Sequence, residues 1–206
     1  MAGAFVALEG IDQAGKQTQA RAVQDRARAA GLTCAVRGYP DDSTPIGRLI
    51  RDSLRASGVL DGRTRAMLFA ANRWEKDAEI RDLVARNALV LVDRYTWSNV
   101  VYGAAQGLDE AWLRGLESGL LASDLTLFLD IPPRESARRK STDRDGFERD
   151  LRLLETARRN YLRLATEPGW VVVDGARAPD AVTRDILTAL RTGLSGRFPP
   201  LSRLQA

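Results

Sequence analysis

Gly10 and Gly15 stand five residues apart, and Lys16 follows the second of them directly. Glycines at that spacing let the backbone curl so that several N–H groups point at one anion. The lysine adds a mobile positive charge for terminal phosphates. The surroundings agree with that chemistry. An apolar run, Phe5–Val6–Ala7–Leu8, precedes the loop, and a helical pattern from Thr18 to about Ala30 follows it. Strand, glycine loop and helix in that order bring the helix dipole and its unpaired N–H groups onto the same anion. Only three of the thirty-one basic residues are lysines, and one of them falls where the phosphates would sit. The expected phosphate contacts are therefore Gly10, Ile11, Asp12, Gln13, Ala14, Gly15, Lys16, Gln17 and Thr18. One position departs from the usual G-x-x-x-x-G-K-[ST] pattern, in which the last hydroxyl reaches Mg²⁺. Gln17 stands there, and the hydroxyl comes one residue later at Thr18. An amide oxygen can ligand a hard cation or hold its water, so Gln17 and Thr18 both stay open as the metal-side residue.

Asp93–Arg94 follows a continuous apolar run, 88–92, which reads as a strand buried on both faces. A carboxylate there can hold Mg²⁺ through water, and an arginine there can stabilise charge moving between two phosphates. Phe69 and Arg73 lie four apart in a helical stretch and share a face. The ring can stack on a base while the guanidinium grips a phosphate or a carbonyl. Ser98 and Tyr102 share a face in the same way, and Asn99 beside them carries both a donor and an acceptor. Arg138, Arg139, Lys140 and Arg144 bracket a polar stretch that can close over phosphates, exclude water and bring an arginine to the reaction.

Composition removes other chemistries. The chain has no histidine, which excludes histidine triads, histidine proton relays and histidine zinc sites. Its single cysteine, Cys34, excludes an intrachain disulfide and reads as a small buried residue. The net charge of +4 comes almost entirely from arginine and is too modest to imply nucleic acid. No apolar run reaches transmembrane length, and the N-terminus enters a strand without a leader pattern. The expectation is a cytoplasmic protein with no membrane or nucleic-acid partner.

The elements that must position these residues alternate. Strands are expected near 4–8, 33–36, 88–92, 125–129 and 170–173. Helices are expected near 16–30, 46–57, 64–86, 96–105, 109–121, 133–140, 147–166 and 179–191. The tail from about 193, with glycine, prolines and serine, is expected to fray. Five strands alternating with helices indicate one α/β domain, 1–206, with a mostly parallel sheet covered on both faces.

Taken together, these residues resemble the thymidylate kinase family. The resemblance rests on Leu8–Glu9–Gly10–Ile11–Asp12 with Gly15–Lys16, on Leu68–Phe69–Ala70 with Arg73, and on Asp93–Arg94–Tyr95 with Ser98 and Tyr102. Phe128–Leu129–Asp130–Ile131–Pro132–Pro133 and Phe147–Glu148 with Tyr161 add to it. It implies a P-loop NTPase-type three-layer sandwich with a five-stranded parallel sheet, and phosphorylation of dTMP to dTDP by Mg–ATP. It implies Lys16 on the ATP phosphates, Asp12 facing the acceptor side and Arg94 on the transferring phosphate. Phe69 would stack on thymine, Arg73 would contact its carbonyl and Asn99 its ring nitrogen. Tyr102 would pack by the deoxyribose, with Ser98 beside it and Tyr39–Pro40 in the acceptor loop. Gln17 and Asp93 would serve the metal. A mobile lid near 138–150 would supply Arg144 or Arg149, and relatives of this kind imply a homodimer. Four positions depart from the family pattern: Gln17, Asp41–Asp42 where an arginine for the acceptor phosphate is common, Asn72 and Gly146. Arg37 or Arg48 is the expected substitute for that arginine. Two alternatives stand beside the main reading. One is a kinase for another pyrimidine nucleotide or a deoxynucleoside, with Glu9 or Asp41 as its base. The other is a nucleotide-binding regulatory homologue with reduced turnover.

Overall fold

The computed structural model describes residues 2–55, 60–140 and 150–205. Five strands form one sheet: β1 (Ala4–Glu9), β2 (Cys34–Gly38), β3 (Leu89–Asp93), β4 (Leu125–Asp130) and β5 (Trp170–Asp174). Their order is β2-β3-β1-β4-β5, and every pairing is parallel. Every residue of β1 is buried, as a central parallel strand requires. Alternate side chains feed two cores. Val6, Leu8, Leu89, Leu91, Leu127 and Leu129 face one layer of helices. Phe5, Ala7, Val90 and Val92 face the other, with Ile80, Val84 and Tyr95. Burying each such leucine contributes roughly 2 kcal/mol.

The first core packs α1 (Lys16–Ala29), α8 (Leu151–Leu164) and α9 (Pro179–Leu194) against the sheet. The other elements are α2 (Pro45–Arg55), α3 (Gly62–Trp74), α4 (Asp77–Arg86), α5 (Thr96–Ala105), α6 (Glu110–Glu117) and α7 (Pro133–Arg139). Among the described residues no helix is long and apolar enough to cross a membrane.

Two expectations need correction. The helical pattern of 64–86 is two helices, not one. Asn72 Nδ2 donates to Glu75 Oε1 at 2.7 Å, and the Lys76 N–H turns back to the Arg73 carbonyl at 3.1 Å. That break lets α3 aim Arg73 at the sheet's carboxyl edge while α4 lays Ile80 and Val84 on the sheet. No glycine or proline marks it. The tail does not fray as expected. Residues Pro199–Arg203 form a 3₁₀ turn, and Leu201 and Leu204 are buried in the first core. Apolar contact there outweighs the turn-forming composition.

The carboxyl ends of β1, β2 and β3 lie together, where open parallel sheets leave a crevice for ligands. β2 runs two residues further than expected and hands Tyr39 to that edge, its N–H bonded to the Asp93 carbonyl at 3.0 Å.

Candidate active site

At the end of β1 the chain turns at Gly10, with φ 149°; a Cβ there would lie 2.7 Å from the Leu129 carbonyl oxygen. Gly15, at φ 93°, opens α1 from the left-handed region. Lys16 folds back over the loop, and its Nζ donates to the carbonyls of Gly10 (3.1 Å) and Ile11 (3.0 Å). It is buried. Desolvation lowers its pKa to about 8, and nearby Arg94 pushes the same way against Asp93, Asp12 and Glu9. On the outer side of the loop, Arg139 donates to the Gln13 carbonyl (3.1 Å) and the Gly175 carbonyl (2.8 Å). Gln17 and Thr18 are exposed on the first turn of α1.

Arg94 joins this loop to the neighbouring cleft. Its φ of 63° places it in the left-handed region. Nη1 reaches the Gly10 carbonyl (3.2 Å) and Ser98 Oγ (3.3 Å), and Nη2 reaches Asp12 Oδ1 (2.5 Å). The Tyr102 hydroxyl donates to Asp12 Oδ2 at 2.8 Å. Burial pushes the Asp12 carboxyl up, but Arg94, Lys16 and the Tyr102 hydroxyl outweigh it and hold the pKa below the ordinary value. Asp12 therefore stays charged beside two cations.

Glu9 supports this arrangement from beneath. Oε1 accepts the N–H groups of Tyr95 (2.9 Å) and Ser98 (3.2 Å); Oε2 accepts the hydroxyls of Ser98 (2.6 Å) and Tyr161 (2.8 Å). It is 0% exposed. Four donors on a buried carboxylate make it a clamp that fixes the turn carrying Arg94, and leave it no lone pair aimed at a substrate. The sequence placed Glu9 in the motif but gave no sign of this clamp.

The cleft beside the loop has a volume of about 200 Å³ and is lined by Asp12, Tyr39, Pro40, Phe69, Arg73, Arg94, Ser98, Asn99 and Tyr102. Tyr39, Pro40, Phe69, Arg73, Arg94, Ser98, Asn99 and Tyr102, all singled out from the sequence, therefore share one cavity. The Tyr39–Pro40 bond is cis. Arg51, Leu54, Gly62, Arg65, Ala66, Gly103 and Gln106 complete the walls and carried no signal in the sequence. Arg73, only 2% exposed, is held in a two-point ion pair by Glu117: Nε to Oε2 at 2.8 Å and Nη2 to Oε1 at 2.5 Å. Glu117 sits at the end of α6, where one acid on an amphipathic helix gives no hint of a buried partner.

The acids after Pro40 do not line the cleft. Asp41 pairs with Lys76 at 3.3 Å and accepts the Ser43 N–H at 2.9 Å; Asp42 pairs with Arg51. Asn72, fully buried, ties this loop to α3 by accepting the Asp41 N–H at 2.7 Å. Of the expected substitutes for the missing arginine, Arg37 pairs with Glu79 and Arg48 bonds the Ser43 carbonyl; neither lines the cleft, whereas Arg51 does. Arg144 and Arg149 lie outside the described residues, as does most of the expected lid.

For a cation, the relevant atom is Asp93 Oδ1. It is buried at the end of β3 with no hydrogen-bond partner among the described residues, next to Lys16 in charge. Among the described residues no cluster of three or more acidic, cysteine or histidine side chains forms a metal cage. One hard carboxylate oxygen with a neutral amide such as Gln17 fits Mg²⁺, which usually takes one or two protein oxygens and completes its shell with water and phosphate.

Comparison with known proteins adds the family. Residues 8–186 match the thymidylate kinase family model. The thymidylate kinase of Homo sapiens is 33% identical over 187 residues, covering 89% of this chain and 88% of that protein. A probable thymidylate kinase of Pyrococcus abyssi is 34% identical over 205 residues, covering 95% of this chain and 100% of that one. The solved structure of thymidylate kinase from Candida albicans superposes with a TM-score of 0.82 at 29% identity, covering 93% of this chain and 92% of that one.

Proposed function

The chain belongs to the thymidylate kinase family, and on that premise we propose that it transfers the terminal phosphate of ATP to dTMP, giving ADP and dTDP. The observation that carries the reading is Arg94. One guanidinium touches the Gly10 carbonyl of the phosphate loop and lines the cleft that holds Phe69, Arg73 and Asn99. Two nucleotides bound in these two places meet phosphate to phosphate across it.

In this reading the loop N–H groups and Lys16 hold the ATP phosphates. Phe69 offers its ring to thymine, Arg73 donates to a base carbonyl, Asn99 meets the ring N–H, and Tyr102 with Ser98 borders the sugar. Lys16 and Arg94 spread the charge that gathers between the phosphates. No side chain needs to take a proton, because the attacking phosphate oxygen is already an anion. The two candidate bases for a nucleoside kinase are both engaged elsewhere: Glu9 by four donors, Asp41 by Ser43 and Lys76. Asp93 and Gln17 would hold Mg²⁺, which would supply further neutralisation of the phosphate oxygens. Arg139, and Arg144 or Arg149, complete the donor side.

The test is ATP-dependent ADP formation with dTMP, dUMP, UMP, dCMP, AMP and thymidine as acceptors. A clear preference for dTMP is expected. Turnover on thymidine in place of dTMP would reassign the acceptor, and ATP binding without turnover on any of them would turn the reading toward a regulatory homologue.

A homodimer belongs to the same proposal. Leu49 on α2 and Met67 and Trp74 on α3 are 49%, 47% and 44% exposed, on two helices that pack on each other. Large apolar side chains left outside in this way suit a self-complementary contact. Light scattering is expected to give the mass of two 22.6 kDa chains; a monomer at every concentration would remove the dimer from the reading.

A further inference from the structure

We infer that Glu117 is a positioning residue that sets which pyrimidine the cleft accepts, by fixing the direction of the Asn99 amide beside Arg73. The inference rests on the proposed dTMP reading. Asn99 Nδ2 donates to the Ala66 carbonyl at 3.0 Å and to Glu117 Oε1 at 2.6 Å. Both neighbours are acceptors only, one a carbonyl and the other a carboxylate, so the amide cannot be reversed without facing oxygen with oxygen. Both amide hydrogens are then in use. The only polar atom Asn99 has left for the cleft it lines is Oδ1, an acceptor.

The same carboxylate grips Arg73 at Nε and Nη2. An arginine offers donors and nothing else, and this one has its charge matched inside the protein: Arg73 is 2% exposed and Glu117 is 7% exposed. Glu117 therefore imposes two things at once. It leaves Arg73 as a directed donor, and it leaves Asn99 as an acceptor next to it. A base edge that answers this pair must present an acceptor beside a donor. Thymine and uracil do so, with O4 beside N3–H. Cytosine presents the reverse, an amino group at C4 and a bare N3. Each of its two polar atoms would meet a like group and go unbonded when buried, which is the arrangement that rejects an analogue most strongly. Nothing in this logic touches the 5-methyl group, so Glu117 separates thymine and uracil from cytosine and leaves thymine and uracil alike.

The experiment compares kcat/KM for dTMP and dCMP in the wild type, Glu117→Gln and Glu117→Asp, with ATP and Mg²⁺. Wild type is expected to favour dTMP by about 10³-fold or more. Glutamine can turn an N–H₂ group toward Asn99; the Ala66 carbonyl is then the one acceptor still opposing reversal, and the orientation that shows the amide donor to the cleft gains population. The dTMP:dCMP ratio should then fall by about tenfold or more, carried mainly by KM for dTMP. Aspartate keeps an acceptor-only group. It should lower efficiency on dTMP while holding the ratio within about threefold of wild type. A ratio unchanged in Glu117→Gln, or lowered equally in both variants, would overturn the inference and leave Glu117 a structural ion pair. Should the variants not fold, wild-type protein labelled with [¹⁵N]asparagine decides. Both Asn99 Nδ2 protons should be protected from solvent exchange with and without dTMP; protection gained only on adding dTMP would place the amide against the base and overturn the inference. A wild type with no activity on dTMP would instead strike at the proposed function, a separable result.

Discussion

Lys16 rests on backbone carbonyls, whereas Arg73 and Arg94 rest on carboxylates. The difference separates the two halves of the site. A carbonyl is a dipole. It satisfies a cation's hydrogen bonds without cancelling its charge, and it yields readily when a phosphate arrives. A carboxylate cancels the charge and holds the geometry. In the proposed reading, Lys16 thus leaves the donor half electropositive for a polyanion, and the acceptor half is left with directed donors for a neutral base. Arg94 stands between, with one nitrogen on the Gly10 carbonyl and the other on Asp12.

The hardest blow to this contrast is Lys16→Ala. It removes the donor-side cation from a buried place, and turnover is expected to fall about 10³-fold or more while the thermal melt stays close to wild type. Near-normal turnover would mean that the loop does not hold the transferring phosphate. Next in size is Glu9→Gln, which strikes the support beneath Arg94. One of the two oxygens becomes an N–H₂ group facing donors, so urea unfolding should lose about 3 kcal/mol. kcat should drop with it as Arg94 leaves its turn. An unchanged midpoint would show that the clamp contributes nothing.

The charge state of Lys16 tests the electropositive half without a mutation. Its pKa of about 8 lies below the ordinary lysine value of 10.5. Between those values the unfolded chain keeps the proton that the folded chain has released. The unfolded state binds more protons there, so the Lys16 contribution to stability rises with pH from 8 to 10.5. Function runs the other way. A neutral amine no longer attracts phosphate, so kcat/KM for ATP should fall above pH 8, by about tenfold per unit. Once ATP is bound its phosphates raise the pKa, and kcat should stay level further into the alkaline range. A kcat/KM flat to about pH 10 would place the Lys16 proton beyond the reach of its burial.

On the acceptor side the contrast is sharpened by comparing two arginines. Arg51 pairs with Asp42 and lines the cleft; Arg37 pairs with Glu79 away from it. Arg51→Ala removes a cation from the cleft wall and releases Asp42, so KM for dTMP should rise about tenfold with kcat nearly unchanged. Arg37→Ala should stay within about twofold, as for an exposed ion pair. Equal effects would mean that cleft lining does not decide which arginine serves the acceptor.

Local chemistry carried far in the sequence. Gly10, Gly15 and Lys16 announced the loop, because strand, turn and helix N-terminus are consecutive in the chain. Phe69 with Arg73, and Ser98 with Tyr102, announced one wall each, because helical spacing puts them on one face. Their partners stayed hidden. Glu117 meets Arg73 across 44 residues, and Tyr161 meets Glu9 across 152. Neither spacing leaves a pattern, since only the packing of α6 on α3, and of α8 against the sheet, creates the contact. The division of 64–86 into two helices was hidden for a related reason: a side-chain bond from Asn72, not a glycine or proline, attends it. The tail failed in the opposite direction, its glycine and prolines outweighed by Leu201 and Leu204.

A smaller effect than that of Arg51→Ala is expected from Gln17→Thr. Gln17 lies on the exposed first turn of α1, on the carbonyl-supported side of the site, and Asp93 Oδ1 is buried without a hydrogen-bond partner among the described residues. The carboxylate should therefore carry most of the attraction for Mg²⁺, with the amide lending a neutral oxygen or holding a water. Threonine would offer Mg²⁺ a hydroxyl oxygen at that position, as the usual loop pattern does. The Mg²⁺ concentration for half-maximal rate should fall by about threefold, below the roughly 10–100-fold change typical when a ligand's support is altered. kcat at saturating Mg²⁺ should move little. No change would leave the metal to Asp93 and the substrates alone. A higher Mg²⁺ requirement would show that the glutamine amide is itself the working ligand, so that even on the donor side one polar side chain is tuned to its cation.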